Sequence, residues 1–335
     1  MKNLRKPYRK RGRFFNCKND KVQGFFYKSA KMLLQSVSLF WSNPQKGQEL
    51  WIGKACPLSC SVAPVITWIG HASFLIQVGG INILVDPIFG DVTFLYKRIL
   101  PPGIALEQMP KIDYVLISHN HIDHMDGPTL RAIKGKNKDV VFLVPQGDKA
   151  WFDKRGFENC HEHMWWDQRS FCPPGEPKNQ VTFSFLPASH WSQRGMFDKN
   201  RSLWGSWMID CSGSRIYFAG DTYFDSHFSE IAQEFPNIDV ALLPVGPCEP
   251  HKVLKDWHLD AQEAGKAFLQ LGAKYFVPMH WGAFAFGVEH FDKPIEMIKA
   301  WWEKNTDLLT EKKLRCMKVG QSVAFSNNDA TLKQE

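Results

Sequence analysis

The chain has 335 residues, of which 44% are apolar and 22% charged. That is enough to bury a full core, and it excludes global disorder, collagen-like repeats and a disulfide mini-scaffold. The net charge of +7 suggests nucleic acid, but eleven Lys/Arg and one acid, Asp20, fall within residues 1–31, leaving 30 bases against 33 acids elsewhere.

The basicity therefore belongs to a tail, and no nucleic-acid partner is expected. The length leaves room for about two average domains, or one large α/β domain with an appendage. Residues 1–63 read as that appendage: a Lys/Arg-rich arm, then Phe25, Phe26 and Tyr27, then an amphipathic helix over 28–41 whose apolar side holds Leu33, Leu34, Val37, Phe40 and Trp41. This segment suits either an anionic membrane surface or a groove on the main domain. Its apolar stretch is interrupted by Gln35, Ser36 and Ser38 behind a long basic region, so a cleaved signal is not expected. No apolar run is long enough to span a membrane. The eight cysteines are scattered, with only Cys56 and Cys60 close together, which reads as thiols in a reducing, cytoplasmic compartment.

From residue 64 to about 325, short apolar strands alternate with helical stretches, the pattern of a layered α/β domain. Strands are expected over 65–69, 73–78 and 81–85, the last two joined by the hairpin signal Gly79-Gly80. Others follow over 113–118, 140–144, 181–186, 206–209, 215–219, 240–243 and 275–277. Asp260, three positions before Glu263, marks a capping-box start for a helix running to about Leu271. Residues 326–335 form a C-terminal tail. Six tryptophans lie between Trp151 and Trp207; Trp204 and Trp207 suit sandwich packing or acyl-chain contacts equally.

The chemistry concentrates after the strand over 113–118, where His119, His121, Asp123 and His124 fall within six residues. Alternate side chains of an extended loop face the same way. His119 and His121 can therefore grip one ion while Asp123 and His124 turn toward another. His190, Asp221 and His280 each follow a further strand at its C-terminal end, the rim where open α/β sheets place their sites. Together these seven residues supply the ligands of a two-ion centre. Imidazole and carboxylate suit two zinc ions, with iron or manganese as alternatives.

The pattern His119-x-His121-x-Asp123-His124 with His190, Asp221 and His280 resembles the binuclear metallo-β-lactamase superfamily. The resemblance implies a four-layer αβ/βα sandwich in which His119, His121 and His190 hold the first zinc, Asp123, His124 and His280 the second, and Asp221 bridges both. The phrases Thr67-Trp68-Ile69-Gly70-His71, Asp86-Pro87-Ile88-Phe89, Ser202-Leu203-Trp204-Gly205-Ser206-Trp207 and His280-Trp281-Gly282 look like the N-acyl-phosphatidylethanolamine phospholipase D branch. So do Trp257-His258-Leu259-Asp260 and the tail phrase Arg11-Gly12-Arg13-Phe14-x-Asn16. That family implies a phosphodiesterase releasing an N-acylethanolamine and a phosphatidic acid through a metal-bridging hydroxide. Catalytic roles fall on Asp123, Asp221 and His258, and substrate contacts on His258 and Ile122. Ile122 departs from the aromatic residue of the mammalian enzymes.

His71 and Asp86 read as partners of ligands rather than ligands. The expected partners are a phospholipid substrate and an anionic membrane surface, with peripheral attachment, and the family analogy adds a homodimer. The competing reading keeps the metals but hydrolyses a soluble lactone or phosphodiester. A non-catalytic module would lack ligands, and a β-lactam target would more often carry Cys in place of Asp221.

Overall fold

A computed structural model describes residues 4–17, 46–55, 57–94, 96–172 and 180–325; the helix expected over 28–41 and the tail 326–335 lie outside these. The arm is not a bare charged strand. It folds into a hairpin of β1 (Tyr8–Lys10) and β2 (Arg13–Phe15). The turn is made by Arg11 and Gly12, at φ 50° and 72°. Two successive positive φ values match the right-handed twist of the flanking strands, and Gly12 adopts its value without steric cost. Phe14 of β2 is buried in the main core, so the hairpin is anchored on the domain.

The domain opens with a meander of β3 (Val65–Gly70), β4 (Ser73–Val78) and β5 (Ile81–Val85), the last turn being Gly79-Gly80 as expected. Then come β6 (Tyr114–Leu116), α1 (Gly127–Lys136), β7 (Val141–Pro145), α2 (Lys149–Asp153) and β8 (Cys160–His163). The second half holds β9 (Gln168–Phe171), β10 (Val181–Leu186), β11 (Ser206–Cys211), β12 (Ser214–Phe218), α3 (His227–Glu234), β13 (Val240–Pro244) and α4 (His251–Leu254). It ends with α5 (Ala261–Leu271), β14 (Tyr275–Met279), α6 (Lys293–Lys304) and β15 (Lys313–Leu314). Finally β16 (Ser322–Ala324) crosses back to pair with β3.

These strands make two seven-stranded mixed sheets, ordered β16-β3-β4-β5-β6-β7-β8 and β15-β14-β13-β12-β11-β10-β9. In β4, Phe74, Ile76 and Val78 enter the core between the sheets, while Leu75 enters a second core under α1 and α2. Both faces of the strand are covered, so its apolar run is nearly unbroken. On the far side, Ile231 of α3, Phe268 of α5 and Ile298 of α6 cover the second sheet. The four-layer α/β sandwich is therefore observed. Trp204 and Trp207 are wholly buried, and Trp207 Nε1 donates to Ile117 O at 2.9 Å; they pack the sandwich and do not face a substrate.

The capping box forms as expected: Asp260 accepts from Glu263 N at 2.8 Å, and Gly272 ends α5 in the left-handed region. Among the described residues, no helix is long and apolar enough to cross a membrane.

Candidate metal centre

The site forms where β6, β10, β12 and β14 end on one rim. The segment after β6 cannot continue as a strand. Asp86, buried at the end of β5, accepts from Ser118 N at 2.7 Å and turns the chain inward. His124 N and Met125 N then close on His121 O, and Asp126 caps α1 by accepting from Thr129 N at 3.0 Å. The loop is thus held at both ends, and its side chains converge. Gly220 explains how Asp221 comes so close. It lies at φ 59°, and a Cβ there would sit 2.6 Å from Ser118 Cβ.

His119 Nε2 lies 2.8 Å from His121 Nδ1, which lies 3.3 Å from His190 Nε2. Ligands about 2.0–2.1 Å from one tetrahedral zinc stand roughly 3.3 Å apart, so this trio has the spacing of one ion's ligands. His124 Nε2 faces Asp123 Oδ2 and Asp221 Oδ2, each at 3.3 Å, and His280 Nε2 faces Asp221 Oδ1 at 3.1 Å. All seven residues expected from the sequence are brought together. They fall into two four-residue donor clusters, His119, His121, His190 and Asp221 in one and Asp123, His124, His280 and His71 in the other, while Asp86 also groups with His119 and His124, and His258 with Asp221 and His280.

Four of the five ligand imidazoles have a partner on the outer nitrogen, and among the described residues His121 Nε2 is the exception. His119 Nδ1 pairs with Ser118 Oγ at 2.9 Å, His124 Nδ1 with Asp86 at 2.7 Å, His190 Nδ1 with Trp257 O at 3.0 Å and His280 Nδ1 with Gly246 O at 2.9 Å. Such partners fix ring orientation and the tautomer of a metal-binding histidine. His71 Nε2 lies 3.0 Å from Asp123 Oδ2, so His71, like Asp86, sits directly against a candidate ligand. Sequence reasoning did not find Ser118 or the Trp257 carbonyl; a backbone acceptor leaves no trace in residue identity.

Burial, with neighbouring imidazoles, pushes His119 well below the usual histidine range, His121 to about 4 and His190 to about 3. For Asp221 and Asp123, burial alone would raise the carboxyl, but His124 and its neighbours hold both well below the usual range. Neutral imidazole and ionised carboxylate are the forms that bind metals; His124 is the exception, since burial lowers it but Asp221 and Asp123 hold it well above the usual histidine range, and it would have to give up that proton to an ion. Buried His124 Nε2, His280 Nε2 and Asp221 Oδ1 face one another across the site yet make no well-aligned hydrogen bond among the described residues. The donor set therefore fits two divalent ions.

The centre floors a cavity of about 590 Å³. Its walls include Tyr96, Trp191, Trp257 and Phe286, with Ile122 at the mouth. His258 belongs to this wall and not to the outer surface: Nδ1 lies 3.6 Å from Asp221 Oδ2, and burial lowers its pKa to about 3.

Behind the ligand loop, Asp148 is buried and accepts from Asn120 Nδ2 at 2.9 Å; burial raises its pKa to about 7. The folded state thus holds this proton more tightly than the unfolded chain, where Asp titrates near about 3.9. The group's stabilising contribution is complete below about pH 4 and is lost as pH rises through 7. Asp148→Asn should melt with the wild type at pH 4 and above it at pH 8. A melting difference that does not change with pH would contradict this.

A family described as "Beta-lactamase superfamily domain" matches residues 81–281. The chain is 32% identical over 254 residues to N-acyl-phosphatidylethanolamine-hydrolyzing phospholipase D 1 of Caenorhabditis elegans, covering 72% of this chain and 70% of that protein. It is 34% identical over 260 residues to the mitochondrial N-acyl-phosphatidylethanolamine-hydrolyzing phospholipase D of Saccharomyces cerevisiae; this covers 74% of the chain but only 53% of the longer yeast protein. Among solved structures, the metallo hydrolase Igni18 of Ignicoccus hospitalis superposes with TM-score 0.60 at 23% identity, over 79% of this chain and 99% of that one.

Proposed function

Given that the chain belongs to the N-acyl-phosphatidylethanolamine-hydrolysing phospholipase D family of the β-lactamase superfamily, and is a metal-dependent hydrolase of that fold, we propose that it cleaves N-acyl-phosphatidylethanolamine-type phospholipids at a membrane surface. The observation that carries this is the convergence of seven donor side chains on the floor of an apolar-walled cavity. A soluble, polar substrate would have little use for walls of Trp191, Trp257 and Phe286, whereas a diacyl chain would bury against them.

In this reading His119, His121 and His190 would hold one zinc and Asp123, His124 and His280 the other, with Asp221 lying between the two groups of donors. Ions held there would supply water activation and neutralise the charge on a phosphodiester. Water oxygen bonds to phosphorus while the bond from phosphorus to the ethanolamide oxygen breaks, giving phosphatidic acid and an N-acylethanolamine. His258, a neutral imidazole beside Asp221, is placed to hydrogen-bond the phosphate or to take the proton released by the attacking water and pass it to the departing alcohol. Asp123 and Asp221 carry the negative charge that would hold the cations. Ile122 contributes an apolar contact at the mouth.

Two loops beside the mouth support attachment to a bilayer. Phe94, Met196 and Phe197 are 81%, 80% and 79% exposed, the most exposed large apolar side chains among the described residues. Phe94 and Gly195 both line the cavity. Apolar tips gathered at one opening mark an interaction surface, not scattered exposure.

The test is to count metal in the purified chain and then follow turnover on N-acyl-phosphatidylethanolamine vesicles beside a panel of lactones. The expected result is two zinc equivalents and release of the ethanolamide, with phosphatidic acid as co-product. A metal-loaded chain that opens lactones rapidly and leaves the lipid untouched would overturn the reading.

A further inference from the structure

The N-terminal hairpin lies along residues 189–200, and its contacts concentrate on one ligand. The Asn16 amide meets both backbone groups of His190: Nδ2 donates to His190 O at 3.0 Å, and Oδ1 accepts from His190 N at 3.2 Å. The same Oδ1 accepts from Trp204 Nε1 at 2.9 Å, which fixes the amide against the core. Asn16 is itself buried. One side chain thus does for His190 what a neighbouring strand does for a residue inside a sheet. This matters because His190 stands four residues past the end of β10.

The preceding residue is held by the same arm. Arg5 Nη1 reaches Ser189 Oγ at 3.3 Å and Asp225 Oδ2 at 2.8 Å, and Ser189 Oγ also donates to Asp225 at 2.7 Å. Trp166 Nε1 donates to Arg5 O, while Phe14 N donates to Asn200 O and Asn200 Nδ2 donates back to Phe14 O. Ser189 N in turn donates to Thr222 Oγ1, next to Asp221. The arm therefore closes over the loop that carries the third imidazole of one cluster.

We propose that Asn16 is a positioning residue for His190, so that the N-terminal arm controls retention of the ion held by His119, His121 and His190. This rests on the metal-centre reading given above. The other cluster draws no ligand from this loop, which makes the effect selective. Asn16 does not line the cavity above the centre, so it needs no contact with substrate.

The test uses the full chain loaded with Co2+ alone. Release of cobalt to a chromophoric chelator is followed together with the visible absorption of the bound ion. The wild type should hold two equivalents. Asn16→Ala should release one of them about ten-fold or more faster, the scale for losing a group that orients a ligand, while the second equivalent leaves at nearly the wild-type rate. Asn16→Asp keeps an acceptor for His190 N and Trp204 but replaces the donor to His190 O with a charged oxygen that opposes that carbonyl. It should speed release of that same equivalent and not the other, and it serves where the alanine variant folds poorly. Equal acceleration of both equivalents would mean general loosening and would overturn the proposal, as would unchanged release. A wild-type chain that takes up no cobalt would instead overturn the metal reading itself, and the proposal with it.

Discussion

Asp221→Asn should lower phosphodiester turnover by about three orders of magnitude or more and leave the purified chain short of at least one metal equivalent. Loss of a group that places charge at a two-ion centre costs several kcal/mol, and each 1.36 kcal/mol is about ten-fold in rate. The side chain is buried, and its two oxygens divide between the clusters. Oδ1 faces His280 at 3.1 Å; Oδ2 faces His124 at 3.3 Å, His190 at 3.8 Å and His119 at 3.9 Å. Asparagine keeps the shape, so the fold should persist, but it removes the negative charge and turns an N–H toward atoms that must face a cation. Asp126→Asn is the matched control. Asp126 stands in the same loop but caps α1, a task asparagine performs about as well, and both metal content and turnover should stay near wild type. Metal analysis and vesicle assays on the three proteins decide the matter. An Asp221→Asn chain that keeps two equivalents and more than a tenth of its activity would remove Asp221 from the centre of the mechanism.

The ligands were legible because metal chemistry restricts residue type and because strand ends are readable. His119, His121, Asp123 and His124 share one loop, and His190, Asp221 and His280 each follow a strand whose apolar run announces it. The capping box of α5 was readable for a similar reason, since Asp260 and Glu263 meet within one turn. What stayed hidden depends on residues far apart in the chain. Asp86 and His124 are separated by 38 positions, and Asn16 and His190 by 174. No local pattern predicts such pairs. The edge strands were also missed: Cys160–His163 has no apolar run, and Lys313–Leu314 is two residues long. In the arm, net charge masked the hairpin. Phe14, flanked by Arg13 and Phe15, is the residue that ties it to the core. Once that contact is known, the +10 segment looks less like a free tether, because Arg5 and Arg13 are already engaged with the domain.

That engagement changes how membrane attachment is best tested. Deleting residues 1–31 would remove Arg5 and Asn16 along with the positive charge, so a loss of vesicle binding could come from a damaged centre. Substitution at the mouth is cleaner. Asp198 accepts from Arg194 N at 3.1 Å and Gly195 N at 2.8 Å, pinning a tight turn whose tip presents Met196 and Phe197 outward. Arg13 braces the turn through the carbonyls of Phe197 and Lys199, backbone groups that a side-chain change leaves in place. Full burial of an apolar side chain contributes about 1.5–3 kcal/mol. Partial burial of two at an interface should contribute about 2–3 kcal/mol together, which corresponds to roughly 30- to 150-fold in partitioning. Met196→Ser/Phe197→Ser should therefore bind N-acyl-phosphatidylethanolamine vesicles that much more weakly in sedimentation. Turnover of a short-chain, monomeric analogue should stay at the wild-type rate, because neither side chain lines the cavity. Wild-type sedimentation by the double variant would show that the bilayer meets the protein elsewhere, and a parallel loss on the monomeric analogue would show that the turn serves the centre and not the membrane.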